Sequence, residues 1–287
     1  MIINDDLLKE IYLKRDEGAK KYDHGSVFVI GGSEIYSGSP AISGLAAMRA
    51  GVDIAQVAAP ERAANVVAGF SPDLITYPLE GKSLKTDHLS RLLEITESIK
   101  SVSRGNMAVV IGGGVGRKEE TKKMIREYVD EVEMPIIIDA DGIYAFENEG
   151  EELLKENCLF TPHLYEFSIL TGRNLFNKDL EEKKEAVRQA AAEMGVKIAL
   201  KGPQDIISDG SELLVNDFPV PELTAGGCGD TLAGLAGALA AKTGDLLKAG
   251  VVATYLNTKA GKLAADEKGD SLVSMDLIDK ISEAIRD

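Results

Sequence analysis

Short, nearly unbroken runs of Val, Ile and other apolar residues recur along the chain, each separated from the next by a longer amphipathic pattern. The runs lie at 26–33 (SVFVIGGS), 52–60, 74–79, 107–114, 135–142, 158–162 and 196–202. A strand with one wet face alternates apolar and polar residues. These runs instead read as strands covered on both faces, as in a parallel sheet. Helical spacing of the apolar residues occupies 39–50, 61–68, 86–103, 118–132, 163–172 and 179–194. DIIS and ELLVN, split by DGS, read as a hairpin, and helical patterns at 228–242, 245–265 and 274–286 follow it. The alternation predicts an α/β fold: a doubly wound, mostly parallel central sheet flanked by helices on both faces. No Pro/Gly/Ser-rich linker interrupts the chain, so 1–287 reads as one domain, with the first 24 residues as a leading helix lying on it.

Charge narrows the partners. There are 47 acidic residues against 32 basic ones, a formal charge of −15. That balance repels phosphate backbones and anionic membranes, which argues against nucleic-acid and membrane partners. A small anionic ligand would need backbone amides and a few local cations. The start, MIINDDLLKE, is acidic and lacks the apolar core of a signal peptide, and no stretch approaches the roughly 18 apolar residues of a membrane span. The expectation is a soluble, cytoplasmic protein. Cys158 and Cys228 form no CxxC, so neither a zinc site nor a disulfide framework is indicated.

The common phosphate fingerprints fail. EGKS at 80–83 resembles the end of a P-loop, but Thr76 stands where the motif requires Gly. IGGGVGR at 111–117 follows a strand, yet Arg117 occupies the last glycine position of G-x-G-x-x-G. A different constellation remains. Gly226, Gly227 and Gly229 precede a helix, where close backbone approach and free first-turn amides make an anion hole. Asp230 sits in that first turn. Beside a phosphate, a carboxylate serves to take a proton from an attacking hydroxyl; otherwise it caps the helix.

Other strand ends carry candidates. Lys201 ends a strand where open α/β sheets place ligands, and with the amides after it could hold phosphates; alternatively it is a solvated lysine. His163 ends another strand and opens a helix, with Glu166 three residues on, placed to close a cap or to help hold magnesium. Asp139 and Asp141 follow a buried strand and either approach Mg²⁺ through water or shape the turn. Small residues Gly38, Ser39 and Ala41 permit close approach of a flat ligand or tight helix–sheet packing.

These segments, in the order GGSEIYSGSPAISGLAAMRAG, IGGGVG, IIIDADG, TPHLYEF, LKGPQDII and TAGGCGDTLAGLAGAL, resemble the ADP/ATP-dependent NAD(P)H-hydrate dehydratases, members of the ribokinase-like superfamily. The resemblance spans about 22–285. It implies repair of hydrated NADH and NADPH: a nucleotide phosphoryl group passes to the hydrate hydroxyl, and elimination of phosphate restores the nicotinamide. By resemblance, Asp230 is the general base, and Gly226, Gly227 and Gly229 form the anion hole. Lys201, Gly202, Pro203, Gln204, Asp205 and Gly229 hold ADP or ATP. Ser39, Ala41, Gly114, Gly116, His163 and Asp230 contact the hydrated dinucleotide. Asp139 and Glu166 are candidate Mg²⁺ ligands. The stand-alone domain leans toward ADP, and the resemblance further implies a homo-oligomer, a tetramer, served by a separate NAD(P)H-hydrate epimerase. Gly113 and Asp205 depart from the family pattern, which usually has Pro and often Thr there. A small-molecule kinase acting on a vitamin-precursor alcohol, or a silent nucleotide-binding regulator, would share the fold and the Gly-Asp segment.

Overall fold

The computed structural model describes residues 3–147 and 150–286. Among these, nine strands are formed: β1 (Ser26–Ile30), β2 (Ile54–Pro60), β3 (Leu74–Leu79), β4 (Met107–Ile111), β5 (Ile136–Ile138), β6 (Cys158–Phe160), β7 (Lys197–Leu200), β8 (Asp205–Ser208) and β9 (Leu213–Asn216). They make one sheet in the order β3-β2-β1-β4-β5-β6-β7-β8-β9. β1 to β7 are parallel, and β8 and β9 close the edge as an antiparallel hairpin. β1 has β2 on one side and β4 on the other, so strand order reverses between them. Open α/β sheets bind ligands in the crevice beyond such a switch point.

The alternation of side chains along each strand explains the two-sided burial. Val27, Val29, Ala108 and Val110 enter one core, which holds α1 (Asp5–Ile11), α2 (Gly38–Arg49), α3 (Glu61–Phe70), and the three helices that end the chain. Phe28, Ile30, Val109 and Ile111 enter the other, under α4 (Leu89–Ser103), α5 (Glu119–Glu131), α6 (Leu164–Thr171) and α7 (Leu180–Met194). The last three are α8 (Cys228–Thr243), α9 (Leu246–Lys268) and α10 (Ser274–Arg286).

α8 is buried from Thr231 to Ala241, which explains its composition. A Cβ on Gly234 would collide with the Ser43 carbonyl of α2, and one on Gly237 would lie 2.5 Å from Val110 Cγ2 of β4. The small residues after Asp230 thus let α8 fit between α2 and the sheet. They are a packing device.

The doubly wound, mostly parallel sheet matches the sequence expectation, and the departures are local. β4 stops at Ile111, because Gly112 takes φ 126°. β5 stops at Ile138 and the chain winds into a 3-10 turn over Ala140–Phe146, with Ala140 left-handed at φ 51°. The leading helix is corrected to Asp5–Ile11. The segment after it turns at Asp16, whose carboxylate accepts from the Gly18 N–H, and is pinned by Arg15 to the Asp53 carboxylate and the Gly51 carbonyl. No helix among the described residues is long and apolar enough to cross a membrane.

Candidate active site

The α8 N-terminus opens at the carboxyl ends of the strands. Gly227 is its N-cap at φ 94°, a left-handed conformation that disfavours any side chain, and a Cβ on Gly226 would meet nothing within 4 Å. The first turn of a helix leaves its amides without intrahelical partners, and they carry the positive end of the dipole. A phosphate-sized anion suits that mouth.

Asp230 lies in this first turn, half-buried. Its backbone carbonyl accepts from the Ser43 hydroxyl at 3.0 Å, which locks the helix start to α2. Its Oδ1 would be 3.0 Å from a Cβ on Gly113, and the same Cβ would be 3.1 Å from Ser39 Cβ. A residue larger than glycine at 113 would therefore crowd both Asp230 and Ser39. Burial pushes the Asp230 carboxyl up to about 7, helped by the charge of Asp139 and opposed by a hydrogen bond from Ser39 and by Lys201. An acid poised near neutrality is fitted to take a proton at physiological pH.

Lys201 follows β7 and turns inward. Its Nζ donates to Asp139 Oδ1 at 2.7 Å and lies 4.0 Å from Glu166 Oε2, and a Cβ on Gly229 would stand 3.3 Å from it. Burial works against its charge, but Asp139, Glu166 and Asp230 outweigh burial and hold the ammonium above its usual range. Lys201 is therefore a fixed cation at the α8 mouth, and not the solvated strand-end lysine that local sequence allowed. The Gly202–Gln204 turn follows, with Gly202 and Pro203 exposed. Asp205 faces inward: it accepts from the Gly202 N–H at 3.1 Å and from Asn216 Nδ2 at 3.2 Å, so its carboxylate shapes the turn. Burial pushes it up to about 6.

His163 is the N-cap of α6. Its Nδ1 accepts from the N–H groups of Tyr165 and Glu166, and Glu166 Oε2 accepts from the His163 N–H at 2.9 Å, completing a capping box. Nδ1 as acceptor places the ring proton on Nε2, 3.4 Å from Glu166 Oε1. The ring is half exposed beside Lys201, to which the His163 backbone is bridged.

Asp139 and Glu166 are engaged with protein partners: Asp139 Oδ1 accepts from Thr161 Oγ1 and Lys201 Nζ, both at 2.7 Å, and Glu166 Oε2 accepts from the His163 N–H. Among the described residues no group of three or more His, Cys, Asp or Glu could hold a metal. Burial holds the Glu166 carboxyl above its usual range against the opposing charge of Lys201. Ala41 is 2% exposed and its methyl packs in the core, so only Ser39 of that pair presents a side chain to Asp230.

The glycine loop after β4 faces the same crevice. Gly114 and Gly116 take φ 69° and 78°, and the Gly32 N–H of the β1 turn donates to the Gly113 carbonyl at 2.8 Å. Asp141 Oδ2 accepts from the Gly116 N–H at 3.0 Å, and its Oδ1 accepts from Arg117 Nε at 2.7 Å. Asp141 thus ties the loop down. Thr161 and the Arg117–Tyr144 contact escaped the sequence reading, because nothing local marks a residue whose partner lies on a neighbouring strand.

A family model described as NAD(P)H-hydrate dehydratase matches residues 27–283. The bifunctional NAD(P)H-hydrate repair enzyme of Pyrobaculum aerophilum is 41% identical over 274 residues, 95% of this chain and 52% of that protein. The chain thus spans about half the length of that relative. The ADP-dependent (S)-NAD(P)H-hydrate dehydratase of Cenarchaeum symbiosum is 33% identical over 100% of this chain and 96% of its own. Among solved structures, the ADP/ATP-dependent NAD(P)H-hydrate dehydratase of Bacillus subtilis, co-crystallised with ATP and Mg²⁺, superposes with TM-score 0.79 at 21% identity, covering 99% and 96%. Ribokinase of Arabidopsis thaliana gives 0.59 at 13%, covering 92% and 99%, so the fold is ribokinase-like. With the family model matching residues 27–283 and a relative at 33% identity covered almost end to end, the chain belongs to the NAD(P)H-hydrate dehydratase family.

Proposed function

We propose that the chain is an ADP-dependent (S)-NAD(P)H-hydrate dehydratase. One observation carries the reading: a half-buried Asp230, poised near pH 7, stands at an open glycine-lined helix mouth with a fixed lysine beside it. Asp230 takes the proton of the hydrate hydroxyl as its oxygen attacks the terminal phosphorus of the nucleotide. The phosphorus–oxygen bond to the nucleotide breaks, giving AMP when ADP is the donor. Hydroxide is a poor leaving group and phosphate a good one. Phosphate then departs with the carbon–oxygen electron pair, the neighbouring carbon gives up a proton, and the ring double bond returns. The amides of Gly226, Gly227 and Gly229, with the Lys201 charge, stabilise the transferring phosphoryl group. Lys201, Gly202, Pro203, Gln204, Asp205 and Gly229 line the nucleotide side, Asp205 by shaping the turn. Ser39, Gly114, Gly116 and His163 line the dinucleotide side.

The carboxylates fit a Mg²⁺ that arrives with the nucleotide and keeps its waters, with Asp139 and Glu166 placed to accept from those waters. Such an ion would neutralise phosphate charge. A cytoplasmic homo-tetramer, working with an NAD(P)H-hydrate epimerase, completes the reading.

The test is recovery of reduced-nicotinamide absorbance from NADH hydrate with Mg²⁺ and ADP or ATP. Asp230→Asn should lower turnover by about a thousandfold or more while nucleotide binding persists. Turnover unchanged in that variant removes the base. A stable phosphorylated product instead of elimination would make the chain a kinase.

A further inference from the structure

Arg117 is the residue that spoils the dinucleotide fingerprint, and the proposed mechanism leaves it unused. Its surroundings are built. Nε donates to Asp141 Oδ1 at 2.7 Å, and the guanidinium carbon lies 3.6 Å from the centre of the Tyr144 ring. Tyr144 is itself buried, at 6% exposure, so it is a rigid platform. Asp141 is held in turn by the Gly116 N–H. The plane is thereby fixed by one hydrogen bond and one stacking contact, while 54% of the side chain remains exposed. Its Nη atoms have no protein acceptor among the described residues. A fixed guanidinium with free donors matches a phosphate group bidentately.

Position ties it to the Asp230 crevice. Arg117 directly follows the Gly112–Gly116 loop, whose Gly113 sits against the Asp230 carboxylate. Glu166 acts on Arg117, and Asp141 acts on Asp230, through their charges, so the guanidinium stands on the rim of the same cleft. Lys201 lies by contrast against Gly229, on the nucleotide side. In a chain of net charge −15, an anionic dinucleotide needs a local cation on its own side of the crevice.

We infer that Arg117, stacked on Tyr144 and oriented by Asp141, binds a phosphate of the dinucleotide. The assignment rests on the dehydratase reading. Two sources share the chemistry: the pyrophosphate bridge, present in both hydrates, and the 2′-phosphate, present only in NADPH hydrate.

The experiment compares the wild-type protein with Arg117→Gln and Arg117→Lys. KM and kcat are measured for NADH hydrate, NADPH hydrate and ADP, and direct binding of NADH and NADPH is followed by their fluorescence. Loss of a charged hydrogen bond should raise the dinucleotide KM and Kd by about tenfold to a hundredfold in Arg117→Gln, well beyond any fall in kcat. Arg117→Lys should restore only part of this, because lysine keeps the charge and loses the fork. An equal rise for both dinucleotides identifies the pyrophosphate; a rise confined to NADPH and its hydrate identifies the 2′-phosphate. Unchanged dinucleotide values, or a rise confined to ADP, overturns the assignment. If the wild-type protein turns over no hydrate, the dehydratase reading fails, and the NADH and NADPH titrations still decide the role of Arg117.

Discussion

On the proposed mechanism, a carboxylate that takes a proton near neutrality is held in a place that disfavours its charge, and Asp230 shows what this costs. Unfolded, its carboxyl titrates near the ordinary 3.8; folded, burial and Asp139 push it up to about 7. Below about pH 4 both states are protonated and the site carries no penalty. Between about pH 4 and 7 the unfolded chain releases a proton that the folded chain keeps, so stability falls as pH rises; above that the penalty is constant. Three units at ~1.4 kcal/mol each bound the effect at about 4 kcal/mol. Asp230→Asn should therefore be more stable than wild type by on the order of 2–4 kcal/mol at pH 8, with the gap closing toward pH 4. Urea denaturation of both proteins across that range checks it. A gap independent of pH would mean that Asp230 is not the strained acid. The same titration makes activity rise with pH through about 7, since only the ionised form is a base.

At the scale of elements, segments that end a strand or open a helix were legible, because chain direction alone takes them to the ligand side of a parallel sheet. TPH, LKG and the Gly-Asp segment are of this kind, and the structure brings all three to one crevice. Pairings between elements were not legible. Lys201 and Asp139 are 62 positions apart and meet only because β5, β6 and β7 are neighbours, with Thr161 of the middle strand's end joining them. The Lys201 partner of Asp139 and Glu166 therefore could not be read from either segment alone. Small residues on a helix mark close packing as readily as ligand approach, and the methyl of Ala41 lies in the core. The contact of α2 with α8 gives a direct test. Gly234→Ala would drive a methyl into the Ser43 carbonyl, and Ser43 also fixes the Asp230 backbone. Overpacking of this kind costs about 1–3 kcal/mol. The variant should show both a lowered midpoint in thermal denaturation and a drop in kcat larger than any change in nucleotide KM. Activity preserved in a destabilised variant would uncouple the helix contact from the site.

For the whole molecule, the charge of −15 and the proposed anionic ligands pull in opposite directions. On that proposal the long-range field repels nucleotide and dinucleotide alike, while Lys201 and the α8 amides attract at contact distance. Salt separates these contributions, because screening acts over roughly 10 Å at 0.1 M and does little to partly buried contacts. Raising NaCl from about 10 mM to about 150 mM should therefore weaken the repulsion first and lower the KM for ADP by about twofold to fivefold. Most cationic phosphate sites behave the opposite way. A KM that rises with salt would show that the local cations govern encounter as well as contact, and that the acidic surface is turned away from the path by which nucleotide approaches the α8 mouth.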